Sequence, residues 1–216
     1  MRDLAIRLRL RAIHQMDLLG MRVVDWFHPG LEIDPTASAN LVKAHFNLAP
    51  GARLRIGPGV TTERRSGGVN FLLEEGAVIE IGEGVWLRTE VGPITLAAYR
   101  GARMRIGPET LLNGCHLSAK VELSLGRRVW IGPGTRVFDS DQHDLDADHP
   151  EAPDPVRIGD HAWIASDVTV LRGVRIGAHS VIGARSLVTG EIPDHTLAFG
   201  TPARPRGVVG DRSHCG

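Results

Sequence analysis

From Pro155 onward the aliphatic positions recur every six residues: Ile158, Ile164, Val170, Ile176, Ile182 and Val188, without a break. Four places after each of them stands a second residue of the repeat, smaller in four of the six cases: Ala162, Val168, Val174, Ser180, Ser186 and Ile192. A helix repeats its apolar positions about every 3.6 residues, and a strand with one buried face about every two. A period of six fits neither. It fits a short strand and a tight turn, stacked on copies of itself as a solenoid whose aliphatic residues form one continuous ladder.

The same signal is spaced more widely upstream. GARLRIGPGV (51–60), GAVIEIGEGV (76–85) and GARMRIGPET (101–110) are offset by 25 residues each, and further copies begin at Val121 and Val156. An aliphatic–glycine step opens each coil at Ile56, Ile81, Ile106, Leu125, Ile158 and Ile176. Coils of three hexads with extra residues looped out account for the longer interval. Two stretches break the rhythm. Residues 1–30 read as a helix, with Leu4, Leu8, Ala12 and Leu18 or Leu19 toward one side and Arg2, Arg7, Arg9 and Arg11 making it basic. A cap over the open first coil is the expected role, because a solenoid end needs cover; a membrane-surface helix is the alternative, and membrane contact is not expected. The second break, residues 138–155 (FDSDQHDLDADHPEAPDP), is polar and acidic. A long insertion in a regular solenoid usually lies on its functional face.

Composition narrows the function. Twenty-six glycines and few aromatics suit tightly turned β structure. Lys plus Arg and Asp plus Glu both number 25, a balance that argues against nucleic acid as the main partner. Cys115 and Cys215 form neither a disulfide framework nor a zinc motif. No apolar run reaches the ~20 residues of a membrane span, and the arginine-laced N-terminus is not a signal peptide. A cytoplasmic protein is expected, with no metal.

Three motifs carry a family resemblance. DSDQHDLD (139–146) is similar to the D-S-D-x-H-P-L-D loop of sugar and capsular-polysaccharide O-acetyltransferases, with Asp144 in place of the proline. Residues 158–193 resemble the closing coils of that hexapeptide-repeat family, and FGTPARPRG (199–207) resembles its tail. The resemblance implies an all-β, left-handed parallel β-helix with a short N-terminal helix and a protruding loop. Its parts are a helical cap (1–30), the β-helix (31–200) with its active-site loop (138–155), and a tail (201–216). It further implies a homotrimer, acetyl-CoA as acyl donor, a sugar or sugar-like acceptor, and direct transfer without an acyl-enzyme.

By that match His143 is the general base, a role the ordinary imidazole pKa of about 6.5 suits at neutral pH. His116 and His149 are its rivals. Asp139, Asp141, Asp144 and Asp146 could orient its ring or form a solvated acidic loop, and Asp141 is the candidate for that partner. Asn113, 30 residues before His143, corresponds to an acceptor-binding asparagine of the galactoside branch, with a turn or ladder role as the alternative. Ser166, Ala184 and Thr189 match positions along the pantetheine arm, and Arg204 and Arg206 are placed for the nucleotide phosphates. The chain departs from the pattern at Gly190, where a lysine is common, and at Gly207, where a tail arginine falls. Trp130 and Trp163 each precede an aliphatic residue at a coil corner and are expected to pack at the trimer seam, with stacking on ligand as the alternative. Residues 61–69 and 89–99 are expected to shape the acceptor pocket. N-acylation of an amino sugar or antibiotic, or a non-catalytic β-helix scaffold, are the competing functions.

Overall fold

The computed structural model describes residues 2–215, and the side chains of residues 2–5 and Asp25, those of Arg2 and Leu4 among them, lie outside the described residues. After the helix Arg2–Phe27, the chain runs through three sheets in rotation. A first face holds the strands Leu31–Ile33, Arg53–Ile56, Val78–Ile81, Arg103–Ile106, Glu122–Leu125, Val156–Ile158 and Arg175–Ile176. The second begins at Thr61–Thr62 and passes through Leu111–Asn113, Trp130–Ile131 and Trp163–Ile164 to the hairpin Thr196–Gly200 and Ala203–Val208. The third runs from His45–Leu48 through His116–Ala119 and Arg136–Phe138 to Leu187–Val188. Every pairing within a face is parallel except that of the final hairpin.

The ladder read from the sequence is the core. Along each strand burial alternates, so that in Arg53–Ile56 the leucine and isoleucine point inward and the arginines outward. Ile56, Ile81, Ile106, Leu125, Ile158 and Ile176 stack in register, as do Ile131, Ile164 and Ile182 on the second face. All of them are buried. Stacking like on like lets each coil bury the aliphatic surface of the one below, at roughly 25 cal/mol per Å² of apolar area removed from water.

The edges explain the glycines. A Cβ on Gly82 would come within 2.8 Å of Pro108 N on the next coil, so nothing larger fits there. Two residues farther on, the backbone takes positive φ: Gly59 and Gly84 in the early coils, then Glu109, Arg128, His161 and His179. The surplus residues of the early coils lie between the second and third faces, in the loops 63–68 and 89–93. These loops brace one another, since Glu63 accepts from the Thr89 N–H at 2.6 Å and from Trp86 Nε1 at 3.0 Å. Arg65 Nη1 in turn donates to the Thr89 carbonyl at 2.7 Å.

Among the described residues, it is the second half of the N-terminal helix that covers the first coil. Met21 and Val24 pack against the core, Gly20 lies on Val42, and buried Asp17 accepts from Arg64 Nε at 2.7 Å and Nη2 at 3.0 Å. Residues 6–12 are exposed. Among the described residues no helix is long and apolar enough to cross a membrane.

Candidate active site

The irregular segment is a pinned loop. It leaves the third face after Phe138 and enters the first face at Val156. Asp139 anchors it: its buried carboxylate accepts from three consecutive backbone N–H groups of the preceding coil, Lys120 at 2.6 Å, Val121 at 2.8 Å and Glu122 at 2.8 Å. Burial pushes this carboxyl above the usual aspartate range, against the pull of those three donors. The neck is closed by Asp154 N donating to the Asp139 carbonyl at 2.7 Å and by an antiparallel bridge between Ser140 and Pro153. At the tip, Asp146 and His149 form a second bridge, and His149 Nδ1 lies 2.7 Å from Asp146 Oδ1.

His143 sits between these two closures, with both neighbours fixed. Gln142, at φ 72°, receives Lys120 Nζ on its carbonyl at 3.1 Å and donates through Nε2 to Ser140 Oγ at 2.7 Å. Asp144 accepts from the Glu151 N–H at 2.7 Å. Lys120 Nζ is itself paired with Glu151 at 2.7 Å. The imidazole of His143 is exposed and has no hydrogen-bond or ion-pair partner among the described residues. Each aspartate named as its possible orienter is engaged elsewhere: Asp139 by three N–H groups, Asp141 by Arg172 Nε at 2.7 Å, Asp144 by Glu151, and Asp146 by His149. The loop presents the ring without holding it.

The rival histidines have other surroundings. His149 is tied to Asp146. His116 is half-buried on the third face, 5.7 Å from the Phe138 ring, and burial followed by the neighbouring Arg136 charge holds its pKa below the ordinary histidine value. Cys115 is buried, and desolvation pushes its thiol up to about 12, which keeps it protonated and unreactive.

The remaining candidate residues fall into two groups. Asn113, Ser166 and Ala184 lie along one edge, between the second and third faces, on different coils. Arg185 N donates to the Ser166 carbonyl at 3.0 Å across adjacent turns, and Asn113 Oδ1 is buried without a partner among the described residues. Thr189 lies past the far end of the third face, after Leu187–Val188. Arg204 and Arg206 are exposed on the final hairpin, and the Arg206 guanidinium stands 5.7 Å from the Phe199 ring centre. The fold therefore brings Asn113, Ser166 and Ala184 to one edge and launches His143 from the next edge, across the width of the third face.

Sequence reading missed the groups that hold the loop. Lys120, Glu151, Ser140 and Arg172 are polar residues with no motif around them, and only the topology reveals that they converge. A second omission was legible. DHAWI, AHSVI and DHTLA repeat a histidine at one corner, and His161, His179 and His195 stack there with ring centres 4.8 Å apart at each step. The C-terminal segment crosses beside them, with Arg212 N donating to His179 Nδ1 at 3.0 Å. The Arg212 guanidinium lies over both Trp130 and Trp163, at 5.8 and 5.4 Å. Those tryptophans, in register on adjacent strands, are thus partly covered by the chain's own tail. No group of three or more His, Cys, Asp or Glu side chains among the described residues could hold a metal ion.

Residues 155–190 match the bacterial transferase hexapeptide family model of six repeats. A galactoside O-acetyltransferase of Lactococcus lactis is 38% identical over 100 residues, covering 42% of this chain and 45% of the relative. The chain thus spans less than half the length of this curated relative. Two solved structures share the fold at low identity. A polysialic acid O-acetyltransferase, OatWY, superposes with a TM-score of 0.65 at 17% identity, covering 86% of this chain and 90% of its own. The polySia-specific acetyltransferase NeuO gives 0.61 at 19%, covering 87% and 85%.

Proposed function

We propose that this chain, whose closing coils belong to the hexapeptide-repeat transferase family, is a left-handed β-helix enzyme that moves an acetyl group from acetyl-CoA to a sugar hydroxyl, with His143 as general base. The observation that carries the reading is the state of His143: an imidazole with no hydrogen-bond or ion-pair partner among the described residues, in a loop whose Asp139, Asp141, Asp144 and Asp146 are each engaged by other groups. A base must be within about 3 Å of the proton it takes, and a ring not locked to a loop aspartate is available to an incoming hydroxyl.

In the reaction, the acceptor O–H gives its proton to a ring nitrogen of His143 as the oxygen attacks the thioester carbonyl. The C–S bond then breaks, and the proton returns from the imidazolium to the departing sulfur. No acyl-enzyme is needed, and the buried, protonated Cys115 could not supply one. Ser166 and Ala184 offer small side chains and backbone along one edge for the pantetheine arm, Gly190 leaves open space beside Thr189, and exposed Arg204 and Arg206 suit phosphate oxygens. Asn113, part-exposed on the same edge, would meet the sugar through its amide.

His143 and the Asn113–Ser166–Ala184 edge leave one protomer at different edges of the prism. A homotrimer in which the loop of one copy faces that edge of the next would complete the site, and a reaction that draws on acetyl-CoA fits the cytoplasm. Asp141 then acts through the loop, by its pair with Arg172, instead of touching the ring.

The test is thioester loss from acetyl-CoA against a panel of sugars, comparing wild type with His143→Ala. Acceptor-dependent turnover should fall about 10²- to 10⁴-fold while CoA binding persists. Undiminished turnover in the variant would remove His143 from the mechanism, and failure to bind CoA at all would leave a β-helix scaffold.

A further inference from the structure

The three faces of the prism carry very different outward rows. On the first face the outward positions are six arginines (53, 55, 103, 105, 157 and 175), three glutamates (32, 80 and 122), Val78 and Ser124. That is a surplus of three positive charges on one face of a chain whose formal net charge is zero. The outward rows of the other two faces, the final hairpin apart, hold only Arg88 and Arg136 as charged members among the described residues.

The glutamates answer only half of the arginines. Arg55 pairs with Glu32 at 2.8 Å, Arg105 with Glu80 at 3.2 Å, and Arg157 with Glu122 at 3.1 Å. Arg53, Arg103 and Arg175 have no carboxylate within ion-pair distance among the described residues. Register puts Arg53 and Arg103 on either side of Val78, two strands apart, which is about 9 to 10 Å at the usual strand spacing. Short side chains between long ones make a trough: Val78 lies low between Arg53 and Arg103, and Ser124 between Arg105 and Arg157. The resulting groove encloses about 600 Å³ over the first five strands of the face, from Glu32 to Ser124.

The groove's lining stops at Glu122–Ser124, one strand before Val156–Ile158, through which the proposed catalytic loop enters this same face, so that Arg157 follows the loop by two residues. No aromatic side chain stands in the outward rows of this first face, so bases of a nucleic acid find no stacking platform on it. Guanidinium forks match carboxylates in two-point contact.

We infer that this face binds a linear, carboxylate-bearing polysaccharide, laid across the coils with its acidic groups on Arg53, Arg103 and Arg175 and delivered to the His143 loop as acceptor. The inference rests on the proposed acetyl transfer for its purpose, but not for its binding site.

The probe is polygalacturonate, with its methyl-esterified form as the matched neutral polymer and a single-stranded DNA of equal charge as competitor. Binding is measured by titration calorimetry at two salt concentrations, on the full chain and on Arg53→Glu/Arg103→Glu, with Arg53→Gln/Arg103→Gln as the milder pair should the first fold poorly. We expect the acid polymer to bind at least tenfold more tightly than its ester or the DNA. The charge-reversed pair should lose at least tenfold of that affinity, with a shallower salt dependence, and His143→Ala should bind as wild type does. Equal binding of the ester, preference for DNA, affinity unchanged by the arginine variants, or a changed oligomeric state in those variants would each overturn the inference. Polymer binding without turnover would count against the acetyl-transfer reading alone, and turnover on other acceptors without polymer binding would count against this one alone.

Discussion

Replacing Asp139 by alanine strips the loop of its anchor. The carboxylate accepts three backbone N–H groups at 2.6 to 2.8 Å from a fully buried position. Leaving a buried donor unmatched costs about 1 to 3 kcal/mol, so three would lose about 3 to 9 kcal/mol if none found water. Two effects reduce that figure. Val121 is exposed, so water reaches part of the corner, and the variant no longer buries a carboxylate, a desolvation cost already visible in the raised pKa of this group. The low end, about 3 kcal/mol, is the expected loss. For a chain of this size it corresponds to a fall in Tm of about 6 to 12 °C. Calorimetry measures that fall. Limited proteolysis within 141–151 should show the same release locally, because the Lys120 N–H that holds the neck and the Lys120 ammonium that holds Gln142 belong to one residue. The proposed acetyl transfer should drop with it, while the proposed CoA binding stays. A Tm within 1 °C of wild type (about 0.5 kcal/mol or less), together with unchanged loop protection, would refute the anchoring argument.

Two further outcomes follow from buried groups. Of the two thiols, Cys215 should react at once with a thiol reagent at pH 8, whereas Cys115, pushed up to about 12 by burial, should react only after unfolding; fast modification of both in the native protein would contradict the core packing. The Asp17 carboxyl is held below the usual aspartate range first by its hydrogen bond from Arg64, against some burial. Its contribution is therefore fully present above about pH 4 and is lost as pH falls through the lowered folded value. Asp17→Asn should be less stable at neutral pH and lose less on acidification, and equal acid sensitivity of the two proteins in thermal melts would rule the pair out as a tie between helix and coils.

The hexad ladder was readable because its physics is local and repeated. Each aliphatic residue meets its own counterpart one coil away, so one period along the chain reports the core directly. The glycine after each coil-opening isoleucine was readable for the same reason, since the next coil's backbone passes where a Cβ would stand. The loop's existence was also visible, as a polar interruption. Which groups hold it was not. Lys120 and Glu151, or Asp141 and Arg172, are about 30 residues apart, and nothing periodic links them until the coils bring the third-to-first edge together. Asp141 illustrates the difference: proximity to His143 in sequence suggested a partner for the ring, whereas the turn at Gln142 sends its carboxylate to Arg172. The arginine face likewise needed the fold. Its six arginines are scattered over more than 120 residues of an electrically neutral chain, and only parallel stacking in register, which places every second residue of seven strands on one side, gathers them onto a single surface.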